Sequence, residues 1–129
     1  MTTPIEFPIA KDTPVSHLPF SPSVRYGDLI FVSGQASVDK TGQIIPGTFE
    51  EEFRRSMENL IQILHDSGSD LAHVVSTRNY LRDAANGPEY QRLYKEYFKP
   101  PFPARTTITN CLPPTLHYEI ECVAVRKPD

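Results

Sequence analysis

Apolar side chains recur along the chain with two different spacings, and the wider spacing predicts two helices. Between Phe49 and Leu64 the apolar residues lie three and four positions apart, which is the period of a helix with one buried face. Thr48 followed by Glu51 three positions later predicts a capping box at the start, and Gly68 supplies a left-handed stop. The predicted buried stripe consists of Phe49, Phe53, Met57, Leu60, Ile61 and Leu64.

The second helix is predicted to begin close to Pro88. Asn86 or Gly87 can cap it, and proline is tolerated in the first turn because the missing N–H would have no partner there. Its apolar stripe consists of Tyr90, Leu93, Tyr94, Tyr97 and Phe98. The segment Lys99-Pro100-Pro101 ends the helix, because proline cannot continue the backbone hydrogen bonding.

Runs of β-branched and aromatic residues predict the strands. Residues 24–26 and 29–32 flank Gly27-Asp28, which is typical of a tight hairpin. Further strands are expected at residues 6–10, 71–81, 104–110 and 117–125, with a short strand or edge at 43–45. The order β-β-β-α-β-α-β-β predicts an α+β fold, a two-layer sandwich of a mixed sheet with two helices on one face.

The last predicted strand indicates what the other face of the sheet carries. Alternation places Tyr118 and Ile120 on one face and Glu119, Glu121 and Val123 on the opposite face. A face that is half polar and half apolar suits a contact with another subunit better than open water.

Length and charge narrow the class of protein. The 129 residues predict a single domain, 1–129, with an extended N-terminal segment at 1–17 because six of the 13 prolines precede residue 50. The net charge of −3 offers no general attraction for nucleic acid. No apolar run approaches the ~20 residues of a membrane span, and no secretory signal is visible. Two cysteines do not form a disulfide framework, so a cytoplasmic protein is expected.

The segment Phe102-Pro103-Ala104-Arg105 and the strand around Glu119 carry the candidate chemistry. An arginine fork can bind a planar carboxylate, and a partly desolvated glutamate can move protons near neutral pH. If the strands of Arg105 and Glu119 pair, both side chains can face one small pocket. From this pattern alone, a purely structural role for Arg105 stays open.

Other catalytic arrangements are not indicated. The histidines lack the helical pairing or the cysteine partners of a zinc site, so no metal is expected; they are His17, His65, His73 and His117. Ser33 does not lie in a G-x-S-x-G motif, which argues against an acyl nucleophile.

Several segments, taken in order, resemble the Rid family, the reactive intermediate imine/enamine deaminases, also called the YjgF or translation-inhibitor family. The resemblance runs from about residue 18 to residue 127. The matching segments are Gly27-Asp28-Leu29-Ile30-Phe31-Val32-Ser33-Gly34-Gln35, Ser56-Met57-Glu58-Asn59-Leu60, Tyr94 to Phe98, Phe102-Pro103-Ala104-Arg105 and Ile120-Glu121-Cys122-Val123-Ala124-Val125.

The resemblance implies a chorismate-mutase-like fold assembled as a homotrimer with an inner β-barrel and clefts between subunits. It implies hydrolysis of small 2-imino or 2-enamino acids to 2-oxo acids and ammonia, with no metal or cofactor. Arg105 matches the residue that binds the substrate carboxylate, and Glu119 matches the acid near the attacking water. Ser33 and Gly34 match the Ser-Gly pair of the substrate-binding pocket.

Three positions depart from the pattern of the best-known deaminases. Phe20 stands in place of a tyrosine, Thr107 in place of a cysteine, and Gln91 in place of an asparagine. Because these are substrate-binding positions, the identity of the substrate stays open. A pathway-specific deaminase of the aminomuconate type is one alternative. A non-catalytic carboxylate-binding function and, less favoured, a ribonuclease activity also stay open.

Overall fold

One mixed sheet of six strands carries both helices on the same face in the computed structural model, which describes residues 3–129. In chain order the elements are β1 Ile5–Glu6, β2 Ser23–Tyr26, β3 Leu29–Ala36, α1 Phe49–Asp66, β4 Val74–Leu81, α2 Gly87–Tyr97, β5 Ala104–Thr109 and β6 Tyr118–Val125. Short 3-10 turns at Leu71–His73 and Ala84–Asn86 precede β4 and α2. The predicted α+β sandwich and its order of elements are confirmed.

The strand order in the sheet is β1-β2-β3-β6-β4-β5. Neighbouring strands are antiparallel except β4 and β5, which run parallel and are connected through α2. A parallel pair needs such a crossover, because a tight turn can join only antiparallel neighbours. The last strand in sequence, β6, lies between β3 and β4 in the middle of the sheet.

Helix α1 confirms the predicted capping box. The Thr48 hydroxyl accepts from the Glu51 backbone N–H at 3.2 Å, and Glu51 Oε1 accepts from the Thr48 N–H at 2.8 Å. One member of the predicted stripe is wrong, since Ile61 is 39% exposed while Ile63 is buried. The buried arc of the helix is rotated toward Glu52, whose carboxylate is itself buried against β6.

Four of the predicted strands differ from the structure by more than one residue. Strand β3 continues to Ala36 instead of ending near residue 32. The strand expected at 6–10 is only Ile5–Glu6, an edge strand that pairs with two residues of β2. The segment 43–45 makes one isolated bridge between Ile44 and Val38 rather than a strand. The first residues of the predicted strand 71–81 form the 3-10 turn.

Aromatic rings join the two helices to the sheet. Tyr118 of β6 is fully buried, and its ring centre lies 4.5 Å from that of Phe53 in α1 and 6.0 Å from that of Tyr90 in α2. Since side chains alternate along a strand, this burial directs Glu119 to the face without helices.

That second face is part apolar, as predicted. Leu29, Phe31, Val75 and Ile108 each expose 42–47% of their surface. A contact with another subunit at this face stays a prediction. Among residues 3–129, no helix combines the length and hydrophobicity that crossing a membrane requires.

Candidate functional site

Arg105 and Glu119 lie on opposite faces of the sheet, and their strands do not pair. Strand β4 separates β5 from β6, with Thr77 paired to Arg105 on one side and to Cys122 on the other. Cys122 is buried on the face that the helices cover, and Arg105 shares that face. One copy of the chain therefore does not bring Arg105 and Glu119 into one pocket.

Arg105 lies against the second helix. Its guanidinium carbon is 5.1 Å from the ring centre of Tyr90 and 4.7 Å from that of Tyr94, distances at which cation–π attraction orients an arginine. Burial raises the pKa of both phenols, so both rings stay neutral. The fork is thus held at the edge of the sheet, and no carboxylate of residues 3–129 forms an ion pair with it.

A small depression of about 170 Å³, the arginine pocket, opens beside this fork. It is lined by Gln91, Tyr94, Lys95, Phe102, Pro103 and Arg105. Thr107 does not line this pocket, and its hydroxyl lies 2.8 Å from that of Tyr90. The pocket holds two basic side chains and an amide, a set suited to a carboxylate.

On the other face of the sheet, Glu119 lines a larger cavity of about 560 Å³, the glutamate cavity. Phe20, Ser33 and Gly34 line it together with Glu119, so four of the predicted site residues are brought together. Much of the wall is apolar: Pro14, Val15, Leu18, Phe20, Pro22, Val38, Ile44 and Leu116. Asp39, Glu119 and Glu121 are its charged residues, all acidic.

Gly34 makes room for the Glu119 carboxylate. The register between β3 and β6 shifts between Val32 and Gln35, and Gly34 lies in this irregularity. A Cβ atom at position 34 would lie 2.6 Å from Glu119 Oε2 and 3.0 Å from its Cδ. A glycine at this position therefore allows the Glu119 side chain to lie close to the backbone, and it is not needed for a turn.

The environment of Glu119 favours its protonated form relative to an isolated glutamate. Burial raises the pKa of the Glu119 carboxyl, and the negative charge of Glu121 raises it further. Within residues 3–129, no side chain or backbone group donates a hydrogen bond to this carboxylate. A carboxylate in this state is a stronger base than one in water.

Ser33 secures the segment that carries Phe20. Its hydroxyl donates to the Ser21 carbonyl at 2.6 Å, and its backbone N–H donates to the Pro22 carbonyl at 3.0 Å. The hydroxyl is thus occupied in a structural bond. Phe20 projects from this segment, 47% exposed, at the rim of the glutamate cavity.

Two residues near Glu119 were missed as site candidates. Glu121 lines the same cavity, and the Tyr80 hydroxyl of β4 donates a hydrogen bond to its carboxylate. The alternation of β6 already placed Glu121 on the face of Glu119 and was the available signal. Tyr80 could not be found from sequence, because its position opposite Glu119 depends on the strand order.

Metal-ligating side chains do not cluster in the described part of the chain. Among residues 3–129, no group of three histidine, cysteine, aspartate or glutamate side chains is arranged to hold a metal ion. Chemistry without a metal stays a prediction.

A family model described as endoribonuclease L-PSP matches residues 10–126. A solved structure from Yersinia pestis, YyfA of the conserved Rid protein family, superimposes with a TM-score of 0.86 at 26% identity, covering 95% of this chain and 99% of that one. The chain belongs to this family, known as YjgF or Rid. The resemblance noted from the sequence is thereby confirmed.

Two relatives are similar over most of their length. Protein mmf2, mitochondrial, from Schizosaccharomyces pombe is 39% identical over 110 residues, 82% of this chain and 86% of that protein. The human 2-iminobutanoate/2-iminopropanoate deaminase is 36% identical over 112 residues, 85% of this chain and 82% of that protein. A cytoplasmic location for this Rid protein stays a prediction.

Proposed function

We propose that this Rid protein hydrolyses 2-imino acids to 2-oxo acids and ammonia, at a site that two neighbouring copies complete. The observation that carries the proposal is the division of Arg105 and Glu119 between two faces of one chain. Each half-site lacks what the other holds: in the described residues, the arginine pocket has no acid for proton transfer, and the glutamate cavity has no cation for a carboxylate.

A ring of three copies would place the arginine pocket of one copy against the glutamate cavity of the next. The exposed apolar side chains on the second face, Leu29 and Phe31 among them, supply surface that such an assembly would bury. The homotrimer expected from the family is therefore part of the proposal.

The reaction consumes one water molecule and moves protons between water, Glu119 and the substrate nitrogen. Arg105 binds the substrate carboxylate through its fork and so orients the imine carbon. Water attacks the carbon of the protonated imine while Glu119 accepts a proton from the water, forming a tetrahedral carbinolamine. Glu119 then returns this proton to the nitrogen and accepts the proton of the carbinolamine hydroxyl as the C–N bond breaks, which gives the 2-oxo acid and ammonia. Ammonia takes the last proton and leaves Glu119 ionised again. An enamine must first take up a proton at carbon to become the imine.

The human relative and the small arginine pocket support a proposal for the substrates. That relative is named for four- and three-carbon imino acids, and we propose 2-iminobutanoate and 2-iminopropanoate as substrates here. Phe20 lacks a hydroxyl and Gln91 has a longer amide than the asparagine of the best-known deaminases. We therefore expect the preference between these two substrates to differ from that of those enzymes.

Endoribonuclease activity, which the description of the family model names, fits the glutamate cavity less well than imine hydrolysis does. In the described residues this cavity is lined by three acidic and no basic side chains. Such a surface repels a phosphate backbone. A non-catalytic binder would not need an unpaired, half-buried carboxylate, whose desolvation is costly.

The proposal is tested by releasing 2-iminobutanoate in situ from an amino acid oxidase or lyase and trapping the remaining imine with semicarbazide. We expect the wild-type protein to reduce the trapped species and to release ammonia faster than the spontaneous reaction. Arg105→Ala should lose this acceleration. Arg92→Ala, which removes an exposed arginine of α2 that pairs with surface glutamates, is the matched control. Equal rates for wild type, Arg105→Ala and buffer would refute the proposal for this substrate.

A further inference from the structure

Resting on the proposed function, we infer that Glu121, held by the Tyr80 hydroxyl, is a positioning residue whose charge keeps Glu119 an effective base. Both glutamates line the glutamate cavity. Of the two, only Glu121 accepts a hydrogen bond from another group of the described residues.

The pair is built by the register of the sheet. Glu119 and Glu121 are two positions apart on β6, so their side chains leave the same face about 7 Å apart at the backbone. Tyr80 of β4 pairs directly with Glu119 in register, yet its hydroxyl reaches diagonally to Glu121. The Glu119 carboxylate lies instead against the bare backbone of Gly34.

Tyr80 makes the two carboxyls unequal. The hydrogen bond to Glu121 is the main cause that raises the pKa of the Tyr80 phenol, so Tyr80 stays a neutral donor over the working pH range. Glu121 thus has a permanent donor, whereas Glu119 faces Glu121 without one. Two carboxyls with different surroundings divide acid–base roles, and here the exchangeable proton is assigned to Glu119.

The other charged groups near the pair do not offset Glu121. Arg78 pairs with Glu121 in register but is exposed at the surface of β4. Asp39, on the loop after β3, adds a further negative charge to the cavity wall. The His117 ring, two positions before Glu119, is bonded instead to Glu52 at 2.6 Å. Strand β3 contributes no titratable side chain to this wall.

The consequence for the reaction is a stronger proton acceptor than an isolated glutamate. A base works best when its pKa lies near the operating pH, because it is then both ionised and basic enough to accept the proton of water. Removing the charge of Glu121 should make Glu119 more acidic and hence a weaker base. The acid limb of the pH–rate profile should then move to lower pH, and the plateau of kcat/KM should fall by about two- to tenfold.

The test follows the side-chain carboxyl carbon of Glu119 by ¹³C NMR through a pH titration, with the signal assigned from Glu119→Gln. We expect the midpoint to move to lower pH in Glu121→Gln, which preserves the shape of the side chain, and in Tyr80→Phe, which removes only the donor. Glu58→Gln, an exposed glutamate of α1 in the other layer, is the control and should leave the midpoint in place.

An unchanged Glu119 midpoint in Glu121→Gln would overturn the inference, whatever the enzyme does. The same conclusion follows if the midpoint moves but the acid limb of an active enzyme does not. A midpoint that moves in a protein without imine hydrolysis would refute the proposed function and leave the electrostatic coupling standing. The two failures are therefore distinguishable.

Discussion

Replacing Gly34 by alanine tests whether Glu119 must lie against the bare backbone of β3. The new Cβ would lie 2.6 Å from Glu119 Oε2, where ordinary contacts begin at 3.4 Å, so the carboxylate must retreat by about 0.8 Å. A misplacement of about 1 Å at a reacting group can cost about 100-fold in rate. We therefore expect kcat/KM for 2-iminobutanoate to fall by about 10- to 100-fold.

The same substitution should affect stability much less. Gly34 does not have a left-handed φ, and its nearest contact is the end of a side chain that can rotate. Overpacking costs about 1–3 kcal/mol where a core cannot yield, so a cost at or below about 1 kcal/mol is expected at this open cavity. Urea unfolding of the variant measures it.

Two controls separate this effect from a general one. Gly87→Ala adds a methyl group where nothing lies within 4 Å and should be as active as wild type. Gly34→Ala combined with Glu119→Gln should be no slower than Glu119→Gln alone, because both changes act through the same carboxylate. Full activity of Gly34→Ala, or additive losses in the double variant, would refute the reasoning.

Three further outcomes follow from the structure. Arg105→Lys keeps the charge but loses the fork, so calorimetry should show 2-oxobutanoate binding weakened by about 1–3 kcal/mol with unchanged thermal stability; unchanged affinity would contradict carboxylate recognition. Because the pKa of Glu119 is raised above its ordinary 4.5, wild type gains stability below that value and loses it as pH rises through the raised one. Glu119→Gln should therefore have a higher Tm than wild type at pH 7 and no advantage near pH 4, and equal Tm values at both would contradict this. Glu52→Ala leaves the His117 N–H and the Gly47 N–H without their acceptor, so chemical unfolding should show a loss of about 1–3 kcal/mol, and a neutral effect would contradict the assigned bonds.

Local sequence patterns were sufficient to predict the helices and most of the strands. The capping box at Thr48, the stripe of α2 and the alternation along β6 each depend on neighbours within a few residues, and each appears in the structure. These signals determine which face of an element is buried, not which strand lies beside it.

The separation of Arg105 from Glu119 could not be predicted in this way. Their strands are consecutive in sequence, and the connection between them passes through left-handed residues at Asn110 and Leu112. It leads β6 across the sheet, where Tyr118 packs against α1 and α2 and β4 occupies the place beside β5. Pairing between distant segments is decided by this packing.

The burial of Glu52 was missed for the same reason. Glu52 lies in the acidic first turn of α1, where glutamates complement the helix dipole and no local pattern marks one of them as buried. Its partner His117 lies 65 positions away, with the backbone N–H at 2.9 Å.

Mixing two inactive variants tests the central claim most directly, namely that two copies complete one site for imine hydrolysis. Arg105→Ala and Glu119→Gln are unfolded together in equal amounts, refolded, and assayed for loss of 2-iminobutanoate. In a ring of three, roughly a quarter of the sites would combine an intact arginine with an intact glutamate from neighbouring copies. We expect recovery of roughly a quarter of wild-type activity. A mixture no more active than its parents, beside an active refolded wild type, would contradict the account.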